Sequence, residues 1–171
     1  DRKIAMWIIS MSGGHLGISV LAIFVVTALL SMWISNTATA AMMLPLALGL
    51  LSHLDVSKDR KTFVFILLGI AYSASIGGLG TMVGSPPNAI AAKALGYDFA
   101  DWMKIGLPMM FIILPAMLVS LYLVLRPKLN HKVQFVTEDI PWTGTRIATM
   151  ILFLCTAIAW IFSKKFTEIF G

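Results

Sequence analysis

The sequence predicts an all-α membrane protein that contains a re-entrant helical hairpin and a broken transmembrane helix. Of its 171 residues, 58% are hydrophobic and only 12% are charged, whereas about a quarter of the residues in a soluble domain carry charge. Several uncharged runs approach or exceed the roughly 20 residues with which an α-helix crosses the hydrocarbon core of a bilayer. None of them shows the alternation of polar and apolar residues that is typical of a barrel strand facing lipid. The predicted spanning elements are therefore helices.

The basic residues of the chain also fit a membrane protein. The formal net charge is +5, but the Lys and Arg residues come in small clusters between apolar runs. This distribution is typical of topology signals and not of a nucleic-acid-binding surface, so we predict a lipid bilayer and no nucleic acid as a partner. The lone cysteine, Cys155, lies in the apolar run ILFLCTAIAW and is expected to be a buried small hydrophobe.

The N-terminal third of the chain predicts an interfacial helix followed by the hairpin. Residues 1–14 begin with basic residues and end in two glycines, which favours a short helix lying on the membrane surface. The uncharged run from residue 16 to residue 52 would be about 55 Å long as one straight helix, nearly twice the core thickness. Its midpoint, Ser35-Asn36-Thr37, lacks charge, Gly and Pro. We therefore predict that residues 15–54 form two half-helices that reverse at Asn36 inside the membrane.

Residues 62–96 predict a membrane helix that is broken at depth. The stretch TFVFILLGIAYSA reads as continuous helix, but SIGGLGTMVGSPPN follows it with four glycines and two prolines. Pro86 and Pro87 lack N–H groups, and the residue before each proline is pushed toward extended geometry. Helix can resume from Asn88, and Gly96 suits a helix end.

Two further spans complete the predicted topology. Residues 102–125 are long enough to cross even with two kinking prolines, and residues 147–163 form a last span after a polar linker over residues 126–146. If the hairpin doubles back, the basic clusters near residues 2–3, 58–61 and 126–132 share one side of the membrane. The positive-inside rule makes that side, including the linker, cytoplasmic, and predicts a multi-pass protein.

The hairpin tip carries residues suited to a cation beside an anion. Non-helical backbone at membrane depth must face protein or water, and a tip exposes the last carbonyls of one half-helix and the first amides of the next. Carbonyls suit a sodium ion, whereas amides at a helix N-terminus suit an anion. The hydroxyls of Ser31 and Ser35 and the Asn36 side-chain carbonyl add oxygen ligands, while Thr37 and the Asn36 amide can donate to a carboxylate.

The second break offers the same paired chemistry. Gly84 allows a close carbonyl approach, Ser85 adds a hydroxyl, and Asn88 opens the following half-helix. Two such breaks facing each other form the ion and substrate site that discontinuous helices build in transporters. Neither break contains an acidic residue, so a bound cation would be held by dipoles and would itself attract an anionic substrate. For the hairpin triplet taken alone, helix packing explains these small polar residues equally well.

The ordered set LSMWISNTATAAMMLP, YSASIGGLGTMVGSPPNAIAA and DWMKIGLP resembles the divalent-anion:sodium symporter family, the INDY-type dicarboxylate transporters. The resemblance covers essentially the whole chain. It implies a secondary active transporter, usually a homodimer, in which a transport domain moves as an elevator against a scaffold domain. The family carries a second Ser-Asn-Thr triplet in an inverted repeat. Because this sequence has only one triplet, it resembles the first half of such a transporter.

The resemblance also assigns roles to segments and residues. It makes residues 1–14 an arm helix, residues 15–54, 62–96 and 102–125 the transport domain, and residues 147–163 a scaffold helix. It implies sodium ligands at Ser31, Ser35, Asn36 and Gly84, and substrate contacts at Asn36, Thr37 and Ser85. The function it implies is Na⁺-coupled import of C4-dicarboxylates such as succinate, malate and fumarate across the bacterial inner membrane by alternating access.

Other functions stay open at this point. An ion channel with a re-entrant pore loop also uses backbone carbonyls. Related transporters carry tricarboxylates or sulfate, or use protons or exchange in place of sodium. A membrane enzyme is disfavoured, because the sequence has no HExxH motif and no acidic pair within the predicted spans.

Overall fold

The computed structural model describes residues 15–52, 54–130 and 144–162, and every regular element in these ranges is helical, as predicted. The interfacial helix predicted over residues 1–14 lies outside the described residues, as does most of the linker over residues 126–146. The elements are α1 (Leu16–Ser31), α2 (Asn36–Leu51), α3 (Arg60–Gly77), a 3-10 turn (Gly78–Gly80), α4 (Pro86–Leu95), α5 (Phe99–Leu125) and α6 (Gly144–Ile161).

Helices α1 and α2 form a helical hairpin that turns slightly earlier than predicted. The turn consists of Met32–Ser35, and Asn36 is already the first residue of α2. The reason is that Ser35 acts as the N-cap, with extended backbone (φ −56°, ψ 144°) and a side-chain oxygen that accepts from the amide of Ala38 at 3.4 Å. Serine is among the preferred N-cap residues because its oxygen satisfies an amide that has no partner within the helix. The predicted reversal at Asn36 is therefore corrected to Met32–Ser35.

The α-helix is interrupted between Gly77 and Pro86, first by the 3-10 turn and then by non-helical residues, within the glycine-rich stretch for which the sequence predicts a break. Helix α4 begins at Pro86 and not at Asn88, because proline fits the first turn of a helix, where its missing N–H would have no partner. Gly96 ends α4 in the left-handed conformation with φ +69°, as a helix-terminating glycine does.

The core lies between α1, α2 and α3. Its central contact is an edge-to-face pair between the Phe24 and Phe65 rings, with centroids 5.6 Å apart, an arrangement that adds about 0.5–1.5 kcal/mol to simple burial. A Cβ on Gly69 would overlap the Phe24 ring, so this glycine lets α1 and α3 approach closely. The remaining core side chains are apolar and almost fully buried: Leu16, Val20, Ile23, Val26, Met43, Ala47, Leu50, Leu51, Ile66 and Ile70.

Helix α5 packs on α3 and on the 3-10 turn and exposes an apolar face. By length and composition, two helical segments among the described residues can cross a membrane, Arg60–Gly80 and Phe99–Leu125, while α1, α2 and part of α6 are shorter apolar helices. On α5, Ile112 is 71% exposed and Val124 is 77% exposed. Large exposed apolar faces of this kind match a helix surrounded by lipid.

Helix α6 contacts the rest of the described chain through aromatic rings. Phe153 lies 5.3 Å from the Trp33 ring of the hairpin turn, and Trp160 lies 5.7 Å from Phe99. The predicted burial of Cys155 is wrong, because its side chain is exposed. The reason is that most of the described side chains of α6 do not pack against other helices.

Candidate functional site

The hairpin turn (Met32–Ser35) and the loop that interrupts the broken helix (Gly78–Ser85, the break loop) contact each other directly. The hydroxyl of Thr81 donates a hydrogen bond to the carbonyl oxygen of Met32. The same hydroxyl accepts from the amide of Gly84 at 3.2 Å. Thr81 is fully buried, so one side chain joins two segments that are 49 residues apart in sequence.

Two of the predicted sodium ligands form a hydrogen bond with each other at this contact. The Ser31 hydroxyl donates to the side-chain carbonyl oxygen of Asn36 at 2.7 Å; Ser31 is fully buried and Asn36 is half-buried. A Cβ on Gly78 would overlap this Asn36 oxygen. The end of the hairpin's first helix, the start of its second helix and the 3-10 turn therefore meet around the Asn36 side chain.

Gly84 brings further oxygens to the same place. A Cβ built on Gly84 would lie 2.5 Å from the Gly78 carbonyl oxygen and 2.9 Å from the Ser31 carbonyl oxygen. Real Cβ atoms do not come so close to an oxygen, so this position accepts only glycine. Ser31, Asn36 and Gly84 are therefore close neighbours, and the oxygens between them are neutral carbonyls and hydroxyls.

Side chains from α4 and α5 hold the break loop in place. The side-chain amide of Asn88 donates to the carbonyl oxygens of Gly78 at 2.7 Å and of Thr81 at 2.8 Å. The indole N–H of Trp102 donates to the carbonyl oxygen of Leu79 at 3.1 Å. These bonds satisfy backbone groups that leave the helical ladder, which is required where neither water nor lipid can do so.

The electrostatics of this site come from helix ends and not from charged side chains. At each interruption the C-terminal carbonyls of one helix lie next to the N-terminal amides of another, so partial negative and partial positive charges are adjacent. Across the part of the chain that the structure describes, no three His, Cys, Asp or Glu side chains group together as metal ligands. Oxygen donors without fixed charge suit a hard monovalent cation, as in the unwound segments of transporters.

The other predicted site residues lie at the edge of this cluster. Ser35 is exposed and its oxygen caps α2. Thr37 is exposed and, with Asn36 and Ser75, lines an otherwise apolar groove of about 520 Å³ between α2 and α3. Ser85 is half-buried just before α4, and its side chain makes no capping bond. The structure therefore brings Ser31, Asn36 and Gly84 together and leaves Ser35, Thr37 and Ser85 around them.

Sequence reasoning missed two residues of this site and assigned a third only a minor role. The sequence predicts no role for Gly78 or Thr81, and for Asn88 it predicts only the opening of the second half-helix. Their residue types give a weak signal, since a polar residue inside a glycine-rich break needs a partner. Nothing local identifies Met32 as a partner of Thr81, because the two residues are 49 positions apart in the sequence.

Comparisons with known proteins identify relatives of this chain. Residues 1–169 match the family described as "Citrate transporter". The chain is 55% identical over 165 residues to an uncharacterized transporter of Haemophilus influenzae, which covers 96% of this chain and 36% of that protein. It is 39% identical over 142 residues to an uncharacterized transporter of Methanocaldococcus jannaschii (83% of this chain, 32% of that protein).

A third relative carries a more specific name. The chain is 32% identical over 126 residues to a protein of Staphylococcus aureus named sodium-dependent dicarboxylate transporter SdcS, which covers 66% of this chain and 24% of that protein. The chain thus spans about a third or less of the length of these curated relatives.

Proposed function

Because the chain belongs to the citrate transporter family, we propose that it forms one half of the ion and substrate site of a longer sodium-coupled transporter for C4-dicarboxylates. Membership in this family, together with a relative named as a sodium-dependent dicarboxylate transporter, confirms the resemblance stated above and supports a membrane transporter as the proposed class. The sodium coupling and the C4 substrates, succinate, malate and fumarate, go further than family membership. They are proposed from the family resemblance and the name of the Staphylococcus aureus relative, and for sodium also from the oxygens of the site.

The observation that carries the proposal is the convergence of Ser31, Asn36 and Gly84 where the two breaks meet. Their hydroxyl and carbonyl oxygens are hard, neutral donors of the kind that hold sodium in discontinuous helices. Proton coupling needs a group that titrates, and neither Met32–Ser35 nor Gly78–Ser85 contains one. We therefore propose sodium as the co-transported ion, with Ser35 completing the ligand set.

The substrate carboxylate is proposed to bind at the N-terminus of α2. The Asn36 amide and the Thr37 hydroxyl lie at this helix end, Thr37 is exposed in the groove, and helix N-termini attract anions. Ser85, at the start of α4, is the third proposed contact. The carboxylate at the other end of the substrate would be held by residues outside this chain, and sodium beside Asn36 would strengthen the attraction for the dianion.

The lengths of the hairpin helices support a re-entrant arrangement. Helices α1 and α2 have 16 residues each, so each is about 24 Å long, less than the roughly 30 Å of the hydrocarbon core. A hairpin of this length reaches into the membrane without crossing it. We further propose alternating access by an elevator movement in a homodimer of the bacterial inner membrane, with the hairpin, the broken helix and α5 in the moving domain.

The test is sodium-driven uptake of labelled succinate by the complete transporter in proteoliposomes. Asn36→Ala removes both a proposed sodium ligand and a substrate contact, so uptake and its sodium dependence should both fall strongly. Asn130→Ala serves as the matched control, because Asn130 is an exposed asparagine outside both breaks. Unchanged sodium-dependent uptake by Asn36→Ala would refute the site, and a current that does not saturate with substrate would indicate a channel.

A further inference from the structure

We infer that Thr81 is a positioning residue that sets the sodium affinity of the site by holding the hairpin turn and the break loop together. This inference rests on the proposed function, because it assumes that sodium binds between these two segments. Thr81 is not proposed to touch the ion. It acts through its neighbours on either side, Met32 and Gly84.

The hydrogen bonds of Thr81 connect the two sets of proposed ligands. Its hydroxyl donates to the carbonyl of Met32, which follows the proposed ligand Ser31. It also accepts from the amide of the proposed ligand Gly84. The carbonyl of Met32 lies at the C-terminal end of α1, where backbone acceptors have no partner within the helix. The Thr81 hydroxyl thus satisfies one backbone group of each segment, the carbonyl of Met32 in the hairpin and the amide of Gly84 in the break loop.

The orientation of this hydroxyl is fixed from its other side. The side-chain amide of Asn88 holds the carbonyls of Thr81 and Gly78, and Asn88 itself is buried. The backbone of Thr81 is extended and unstrained (φ −133°, ψ 165°), and a β-branched side chain has few χ1 choices. Thr81 therefore acts as a rigid link between the break loop and the hairpin.

This link bears on sodium more than on the substrate. The proposed sodium ligands come from both segments, Ser31 and Asn36 from the hairpin and Gly84 from the break loop, so their spacing depends on the contact between the two. Without the hydroxyl, the Met32 carbonyl and the Gly84 amide lose their bonds and the segments are free to separate. Two of the three groups proposed for the substrate, those of Asn36 and Thr37, lie on the hairpin and keep their relative positions, and only Ser85 lies on the break loop.

The decisive variant is Thr81→Val, which keeps the shape of the side chain and removes its hydroxyl. In proteoliposomes of the complete transporter, we expect the sodium concentration for half-maximal succinate uptake to rise about tenfold or more, the usual effect of removing a residue that supports metal ligands. The KM for succinate at saturating sodium should change less than threefold. Thr81→Ser retains the hydroxyl and should stay close to the unmodified protein.

Thr27→Val is the matched control. Thr27 is also a fully buried threonine of this helix bundle, but its hydroxyl bonds to the Ile23 carbonyl at 2.6 Å within α1 and joins no second segment. Its loss should leave the sodium requirement unchanged. A general effect of removing a buried hydroxyl would instead shift both valine variants equally and overturn the inference.

The remaining outcomes also decide the question. A Thr81→Val protein with the normal sodium requirement, or a Thr81→Ser protein as impaired as Thr81→Val, overturns the positioning role. If Thr81→Val does not reach the membrane, Thr81→Cys replaces it, because its thiol is a weaker donor and should give an intermediate shift; no shift would overturn the role. Uptake by the unmodified protein that does not depend on sodium refutes the proposed function itself, together with this inference.

Discussion

Replacement of Gly78 by alanine tests the geometry of the site most directly. The backbone of Gly78 is in the right-handed helical region (φ −58°, ψ −17°), so alanine adopts it without strain and the only change is one methyl group. That methyl group would overlap the side-chain oxygen of Asn36 and lie 3.1 Å from Asn36 Cγ and 3.2 Å from Asn36 Nδ2. The Asn36 side chain must therefore rotate away, which breaks its bond with Ser31.

The expected size of the effect follows from the interaction that is lost. An oxygen that contacts a charged group contributes about 1.5–3 kcal/mol, which corresponds to a roughly 10- to 150-fold weaker sodium affinity. The overlap also destabilises the packed state, since crowding of a close-packed interior costs about 1–3 kcal/mol. We therefore expect a folded protein with a strongly raised sodium requirement.

The assay is sodium titration of succinate uptake by the complete transporter, with thermal unfolding in detergent as a check on folding. Gly49→Ala is the matched control, because it is a helical glycine with nothing within 4 Å of the added Cβ. This control should gain about 0.5–1 kcal/mol of stability from the helix propensity of alanine and keep its sodium requirement. A Gly78→Ala protein that folds and binds sodium normally would show that Asn36 is not a ligand in the arrangement described.

Three further predictions concern stability. Gly77→Ala places a methyl group 2.5 Å from the Cα of Ala28, so α1 and α3 must separate by about 1 Å. We expect denaturant titration to show a loss of about 1–3 kcal/mol in the free energy of unfolding. An unchanged denaturation midpoint would contradict this prediction. Trp102→Phe leaves the carbonyl of Leu79 without its hydrogen-bond donor and should lower the free energy of unfolding by about 1–3 kcal/mol. A difference within experimental error would refute this role of Trp102. The methyl group of Gly96→Ala has no atom within 4 Å, but alanine would have to adopt the positive φ of +69°. We therefore expect the free energy of unfolding to fall by about 1–2 kcal/mol. A more stable variant would argue against the left-handed helix end.

Much of the fold follows from local features of the sequence. The hydrophobic runs and the absence of alternation predict helices, and Pro86, Pro87 and the neighbouring glycines predict where α3 is interrupted. The exact bounds shift because capping decides them: Ser35 caps α2, and proline opens α4. The exposure of Cys155 could not be predicted, because an apolar helix that faces lipid has the same kind of sequence as one that is buried in protein.

The candidate site was predictable only in part. The residue types in the two predicted breaks suggest oxygen ligands at Ser31, Ser35 and Asn36, and the family resemblance adds Gly84; these ligand roles stay predictions. The hydroxyl of Thr81 and the crowding at Gly78 gave no local signal, because their partners, Met32 and Asn36, belong to another segment of the chain. Spacing along a sequence reveals neighbours on one helix and does not reveal which turn meets which loop.

By itself, the amino-acid sequence determined that this chain is helical, that it belongs in a membrane and that two of its helical segments are interrupted by polar or glycine-rich residues. These properties depend on side-chain polarity and backbone preference, which act over a few residues. The tertiary structure alone decided that the two interruptions touch, through one buried threonine hydroxyl and glycines that have no room for a Cβ. Contacts of this kind depend on how α1, α2 and α3 pack, and packing is a property of the whole chain.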